Sequence, residues 1–179
     1  LRDYVTGLCL PGERKSIEPM AARVDPRHVR ARHQSMHHFI ANAAWDDAAL
    51  LTVVRGHALP AIEEHGPIRA WIVDDTGLPK KGRLSVGVAR QYCGQLGKQD
   101  NCQVAVTLSI ANEHASLPIA YRLYLPEGWA RDPARRAMAG VPEDIGFATK
   151  PEIALAQIRR AVADGGPPGV VVTDAGYGN

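Results

Sequence analysis

Residues 70–82 read AWIVDDTGLPKKG: an apolar run meets two adjacent carboxylates, Asp74 and Asp75, and a basic loop follows at once. A second apolar run, GVVVTDAGYG at 169–178, meets Asp174 and again a glycine. A single Asp–Gly stretch is ordinary turn chemistry. Two aspartates at matching ends of neighbouring strands form a site. Carboxylates brought together raise each other's pKa unless a cation screens them. A few hard oxygen donors suit Mg²⁺ or Mn²⁺, which keep water and substrate phosphate in their shells. Two such ions roughly 3.5–4 Å apart can hold the attacking and leaving oxygens of a phosphoryl transfer.

The charge distribution points the same way. The net charge of the 179 residues is only +2, too mild to decide anything by itself. Its placement is uneven. Lys80, Lys81, Arg83, Arg90 and Lys98 stand against Asp100 alone in residues 80–100, a net +4. Residues 1–40 carry a net +3, with Arg27 and Arg30 inside the stretch RHVRARH. Basic patches beside an acidic pair are suited to track a nucleic-acid backbone. The helix expected from residue 26 to 38 reads either as a DNA-contacting element or as a solvated face, and no helix-turn-helix signature settles which.

The elements that must position these residues follow from periodicity. Residues 1–66 read as helical, with apolar positions at helical spacing in Tyr4, Val5 and Leu8 and in Ile17, Met20, Ala21 and Val24. Asp25 before Pro26 predicts a helix start. A further helix begins near Trp45, with Asp46 and Asp47 in its first turn and Pro60 a possible kink. The pattern then changes to strands over 68–74, 101–112 and 115–126, the last two joined by NEHAS as an antiparallel pair. Residues 127–150 look irregular. KPEIALAQIRRAVADG at 150–165 predicts an amphipathic helix, and 169–174 a last strand. The order β, β, β, α, β predicts an α/β fold with a partial mixed sheet. A crossover helix brings the last strand parallel to the first. The strand ending at Asp74 should then lie between the 101–112 strand and the one ending at Asp174.

Other constellations carry less. Strand alternation sends Asp74 and Asp75 to opposite faces, so one of them enters the site; Asp74 is favoured and Asp75 is the alternative. Glu152 heads the 150–165 helix and is a further candidate, though Glu is common in a first helical turn. His33 and His37 are spaced like a metal pair but lack a third ligand. GQLGKQ lacks the spacing and the Ser/Thr of a phosphate loop. An aspartyl-phosphate phosphatase would want a second Asp where Thr76 stands. Cys9, Cys93 and Cys102 give neither a disulfide framework nor a zinc knuckle and fit a reducing cytoplasm. Trp45, Trp71 and Trp129 read as core or interface anchors.

Several of these segments together carry a resemblance. WIVDDTGLPKKG, GVARQYCGQLGKQDNCQVAV, LPIAYRLYLP and VVTDAGYG resemble the DDE-superfamily transposases of bacterial insertion sequences, which have an RNase H-like catalytic core. LPGERKSIEPMA and AAWDDAALL resemble the helical region before that core. The resemblance implies a helical, DNA-end-contacting region at 1–66 and a partial catalytic domain at 67–179. It implies a metal-dependent endonuclease of two-ion, Mg²⁺ or Mn²⁺ type that cuts and joins double-stranded DNA during transposition. The family's Asp-x-Thr/Ser pattern maps onto Asp74 with Thr76, and its second aspartate onto Asp174. Its third acidic residue, a Glu on a helix far downstream, has no counterpart here. The resemblance therefore implies an inactive segment of an active parent, or alternatively a truncated remnant that binds DNA or co-assembles. A homo-oligomeric parent, a bacterial cytoplasmic, nucleoid-associated location and no membrane association complete the expectation.

Overall fold

The computed structural model describes residues 1–44 and 46–178, so Trp45 lies outside the described residues. The chain forms two compact units, Leu1–Asp46 and Asp47–Asn179.

The first unit holds α1 (Arg2–Cys9), α2 (Ile17–Val24) and α3 (Val29–Ala41). Its core is small. Met20, Ala21 and Met36 are buried, and Tyr4, Ile17, Val24 and Val29 pack against them. Gly7 lets α1 approach α2, since a Cβ there would come within 2.8 Å of Met20 Cβ. Arg32 ties the three helices, donating to Asp3 at 3.0 Å and to Asp25 at 3.1 Å. The expected start of α3 at Pro26 is three residues early. Asp25 closes α2 instead, and its carboxylate is taken by His28 and Arg32.

The second unit is an α/β layer. It comprises α4 (Asp47–Glu63), β1 (Ala70–Pro79), β2 (Ala89–Cys93), β3 (Lys98–Ala111), β4 (Ser116–Leu123), α5 (Glu127–Ala130), α6 (Pro133–Met138), α7 (Lys150–Ala163) and β5 (Val170–Val172). The helices thus run to Glu63, but α4 belongs with the sheet. The sheet order is β2-β3-β1-β5, with β4 also on β3. β3 is long enough to take two successive partners on one side, β2 at residues 98–102 and β4 at 105–111. On its other side it pairs with all of β1, antiparallel. β1 lies between β3 and β5, as expected, and pairs with β5 in parallel.

Alternation in β3 buries Cys102, Val104, Val106, Leu108 and Ile110. The last three share a core with Trp71 and Val73 of β1 and with Ile153, Ala154 and Ala161 of α7; Leu59 and Ile62 of α4 pack against it. α7 starts at a reciprocal capping box in which Thr149 and Glu152 satisfy each other's backbone amides. In the β3–β4 connection Asn112 accepts from the amides of His114 and Ala115.

Two expectations need correction. The first strand does not stop at Asp74. It continues to Pro79 because β3 offers main-chain partners from Thr107 down to Cys102. The Asp–Gly stretch is therefore strand, and Gly77 is small because Cys93 Sγ would lie 2.8 Å from a Cβ there. The first four residues of GQLGKQ are the β2–β3 hairpin connection, with Gly97 at φ +63°, and the last two begin β3. The region 127–150, read as irregular, contains α5 and α6.

GGPPG, at 165–169, does more than end α7. Trp71 Nε1 donates to the Pro167 carbonyl at 2.9 Å. Cβ atoms on Gly166 and Gly169 would come within 3.0 and 2.7 Å of the indole. The glycines let the segment close over Trp71 and deliver β5 beside β1. Gly169→Ala is expected to lower unfolding free energy by about 1–3 kcal/mol, the usual cost of overpacking. Gly56, in mid-helix with open space around it, should do the opposite: Gly56→Ala gains up to about 1 kcal/mol. Urea unfolding of both variants checks this, and a Gly169→Ala protein as stable as wild type would refute the clasp.

Candidate active site

β1 and β5 pair over three positions, ending at Ile72 opposite Val172. Asp74 and Asp174 each lie two residues beyond that last pair. The parallel register therefore carries both chains in the same direction to the same place. This is the adjacency that the sequence pattern called for.

The two neighbouring aspartates of β1 diverge as alternation requires. Asp75 shares its face with Trp71 and Val73, the face that α7 covers, and is half-buried. Asp74 is exposed on the other face; its Oδ1 accepts from the Asp75 amide at 2.7 Å. Asp75 is engaged on both oxygens. Lys150, the first residue of α7, donates its ammonium to Oδ2, and the Tyr177 hydroxyl donates to Oδ1. The side chains of Lys150 and Asp75 keep 31% and 27% of their exposure, so this pair is neither dry nor freely solvated. Asp75 thus has a lysine counter-charge.

Asp174 closes the arrangement from below. It caps the short 3₁₀ turn Ala175–Tyr177, its Oδ1 accepting from the Gly176 amide at 3.0 Å. That turn carries Tyr177 to Asp75. Burial, then the hydrogen bond to Asp75 and the charges of Asp75, Asp174 and Asp74, push the Tyr177 phenol far up. Asp75 is the carboxylate that this hydroxyl bonds.

Glu152 is spoken for elsewhere. Its carboxylate accepts from the Thr149 amide and hydroxyl, and these bonds hold its pKa below the usual range. Lys80, Lys81, Arg83, Arg90 and Lys98 are all exposed around the far end of β1 and the β2–β3 pair. Arg27 and Arg30 line a shallow hollow of about 470 Å³ on the first unit. Among the described residues no three His, Cys, Asp or Glu side chains are grouped closely enough to hold a metal ion, and no helix is long and apolar enough to cross a membrane.

The sequence reading missed Lys150 and Tyr177. Each had a signal. The Thr-x-x-Glu pattern at 149–152 fixes the helix start and so the place of Lys150. Tyr177 stands three residues after Asp174, one 3₁₀ turn away.

The whole chain, residues 1–179, matches the family described as DDE superfamily endonuclease. The chain belongs to that family. It is also similar to a protein of Microchaete diplosiphon named as a probable transposase for insertion sequence element IS701, at 34% identity over 145 residues. That match covers 81% of this chain and 35% of the relative, so the chain spans about a third of the length of the curated relative it matches. No solved structure matches it. This family member thus carries aspartates just beyond the end of a parallel strand pair.

The Tyr177 shift has a pH consequence. Its folded-state pKa is raised, so the stability it contributes is whole below the unfolded phenol's value of about 10 and falls as pH rises beyond it. Unfolding free energy should decline above about pH 10, and Tyr177→Phe should remove part of that decline. Denaturant titrations over the alkaline range measure both; identical slopes in the two proteins would count against the contact.

Proposed function

We propose that this chain forms part of a transposase that cuts and joins DNA strands by metal-dependent phosphodiester transfer, with Asp75 and Asp174 as its first two metal-binding carboxylates. One observation carries the reading: Asp75 and Asp174 both stand just beyond the last pair of two adjacent parallel strands, in a member of an endonuclease family. The choice moves from Asp74, which the sequence favoured, to Asp75. Asp75 is the one on the helix-covered face and the one that Tyr177 and Lys150 address. Asp74 remains the alternative.

The donor set suits a hard divalent cation. It offers carboxylate oxygens alone, and Mg²⁺ is commonly held by one or two carboxylates with water and substrate phosphate completing its shell. Asp75 and Asp174 would hold it. When bound, such an ion polarises a phosphoryl oxygen and lowers the pKa of a bound water. The protein's own groups have separate tasks. Lys150 neutralises Asp75 and brings a positive charge to where a phosphate would approach. Tyr177 keeps its proton through the neutral range and so stays a donor. Asp174, by capping the turn, fixes where that donor points. The DNA partner, the two-ion arrangement and self-association belong to this proposal.

Calorimetric titration with Mn²⁺ tests the assignment. Asp75→Asn and Asp174→Asn should each weaken binding about tenfold or more, a loss of about 1.4 kcal/mol or more. Lys150→Met should tighten it, because a competing cation has gone. Loss of binding in Asp74→Asn with Asp75→Asn unaffected would return the site to Asp74.

A further inference from the structure

The loop between β1 and β2, Lys80–Val88, has little regular structure yet is fastened at many points. Asn101 Nδ2 donates to the carbonyls of Lys80 and Gly82, at 2.6 and 2.9 Å. Arg135 donates to the Arg83 carbonyl at 3.0 Å. Gln103 reaches the Val86 carbonyl at 2.6 Å, and Trp129 Nε1 the Val88 carbonyl at 2.8 Å. Side chains from β3, α5 and α6 thus take five of the loop's carbonyls. The backbone acceptors turn inward, and Lys81 and Arg83 are left outward and exposed.

Beside the loop lies an open cleft of about 520 Å³, lined by Lys81, Arg83, Arg90 and Arg135 with Asp100 and Asn101. Arg135 is set in place: its guanidinium lies 3.7 Å from the centroid of the buried Trp129 ring. Among the described residues none of these four cations makes an ion pair with a carboxylate within 4.0 Å. Asp100 is the opposing charge. It is paired with Lys98 at 3.2 Å and bonded to the Asn101 amide, and these bonds keep it ionised. Four unpaired cations on a fastened scaffold make a polyanion site whose ordering cost is largely met before binding.

We infer that this cleft grips the phosphate backbone of duplex DNA away from the carboxylates, as a sequence-neutral anchor. The inference rests on the endonuclease reading for its substrate class. The lining favours backbone over bases. It contains no aromatic side chain on which an unpaired base could stack, as single-strand sites require, and Asn101, its one amide, is spent on the loop. Lys80, the first residue past β1, lies five residues beyond Asp75, about 17 Å at strand rise, or about five base pairs of duplex.

Fluorescence anisotropy with a labelled duplex of arbitrary sequence, about 30 base pairs or three helical turns, reads the prediction across a salt series. Each of Lys81→Ala, Arg83→Ala and Arg90→Ala should lower the slope of log K against log salt by about 0.9. Leu84→Ala, exposed in the same loop, should change nothing. Arg135→Lys keeps the charge and loses the stacked geometry, so it should weaken binding with the slope little changed. The triple alanine variant should keep wild-type Mn²⁺ affinity and circular dichroism, while Asp75→Asn should keep the wild-type salt slope. A triple variant that binds duplex with the wild-type slope, or one that loses only single-stranded DNA, overturns the anchor. Neither result bears on the carboxylates, whose own test is the Mn²⁺ titration.

Discussion

Three main-chain pairs between β1 and β5 decide how the second unit brings its proposed carboxylates together. Ala70, Trp71 and Ile72 meet Val170, Val171 and Val172 in parallel. This pairing brings Asp174 beside the strand that carries Asp74 and Asp75, a hundred residues earlier. The pairing itself depends on how the segment before β5 closes over Trp71. Glycines at 166 and 169 allow backbone where a side chain would collide, and the indole N–H bonds the Pro167 carbonyl between them.

From that constraint the electrostatics follow. Once Asp174 is delivered, its side chain caps a single turn, and the turn presents Tyr177 to Asp75. α7 contributes Lys150 from its first position because the capping box holds its start. The carboxylate that shares a face with the hydrophobic core thereby has a cation and a donor on its two oxygens. The neighbouring Asp74, one residue earlier on the same strand, has backbone and solvent.

Much of this was legible in residues. The alternation of β3, the crossover through α7 and the central place of β1 all follow from periods of two and 3.6, because one buried face fixes each element. The length of β1 was not legible. DDTGLP has the composition of a turn, and only the partner strand, read in three dimensions, keeps it extended. β2 was hidden for a related reason: ARQYC is short and polar, and its pairing comes from a hairpin closed at Gly97. The choice between Asp74 and Asp75 turned on this as well. Asp74 is favoured when the first strand is read as ending there; in a strand that continues to Pro79, the proposal of Asp75 rests on its face and its partners.

The uneven ladder lengths around β1 have a thermodynamic meaning. On one side β1 is bound to β3 through ten residue pairs; on the other it is bound to β5 through three. The β5 side also closes a chain loop of about a hundred residues, against about thirty for β3, at an added entropic cost of about 1 kcal/mol. Val170, Val171 and Val172 keep 70%, 46% and 48% of their surface in solvent, so little apolar burial offsets that cost. Asp75 thus lies on a strand held by a ten-pair ladder, and Asp174 just beyond a strand held by three pairs. Local opening of β5 would separate the two carboxylates while the β1–β3 ladder stayed intact, and the persistence of the proposed site is that of its shortest ladder.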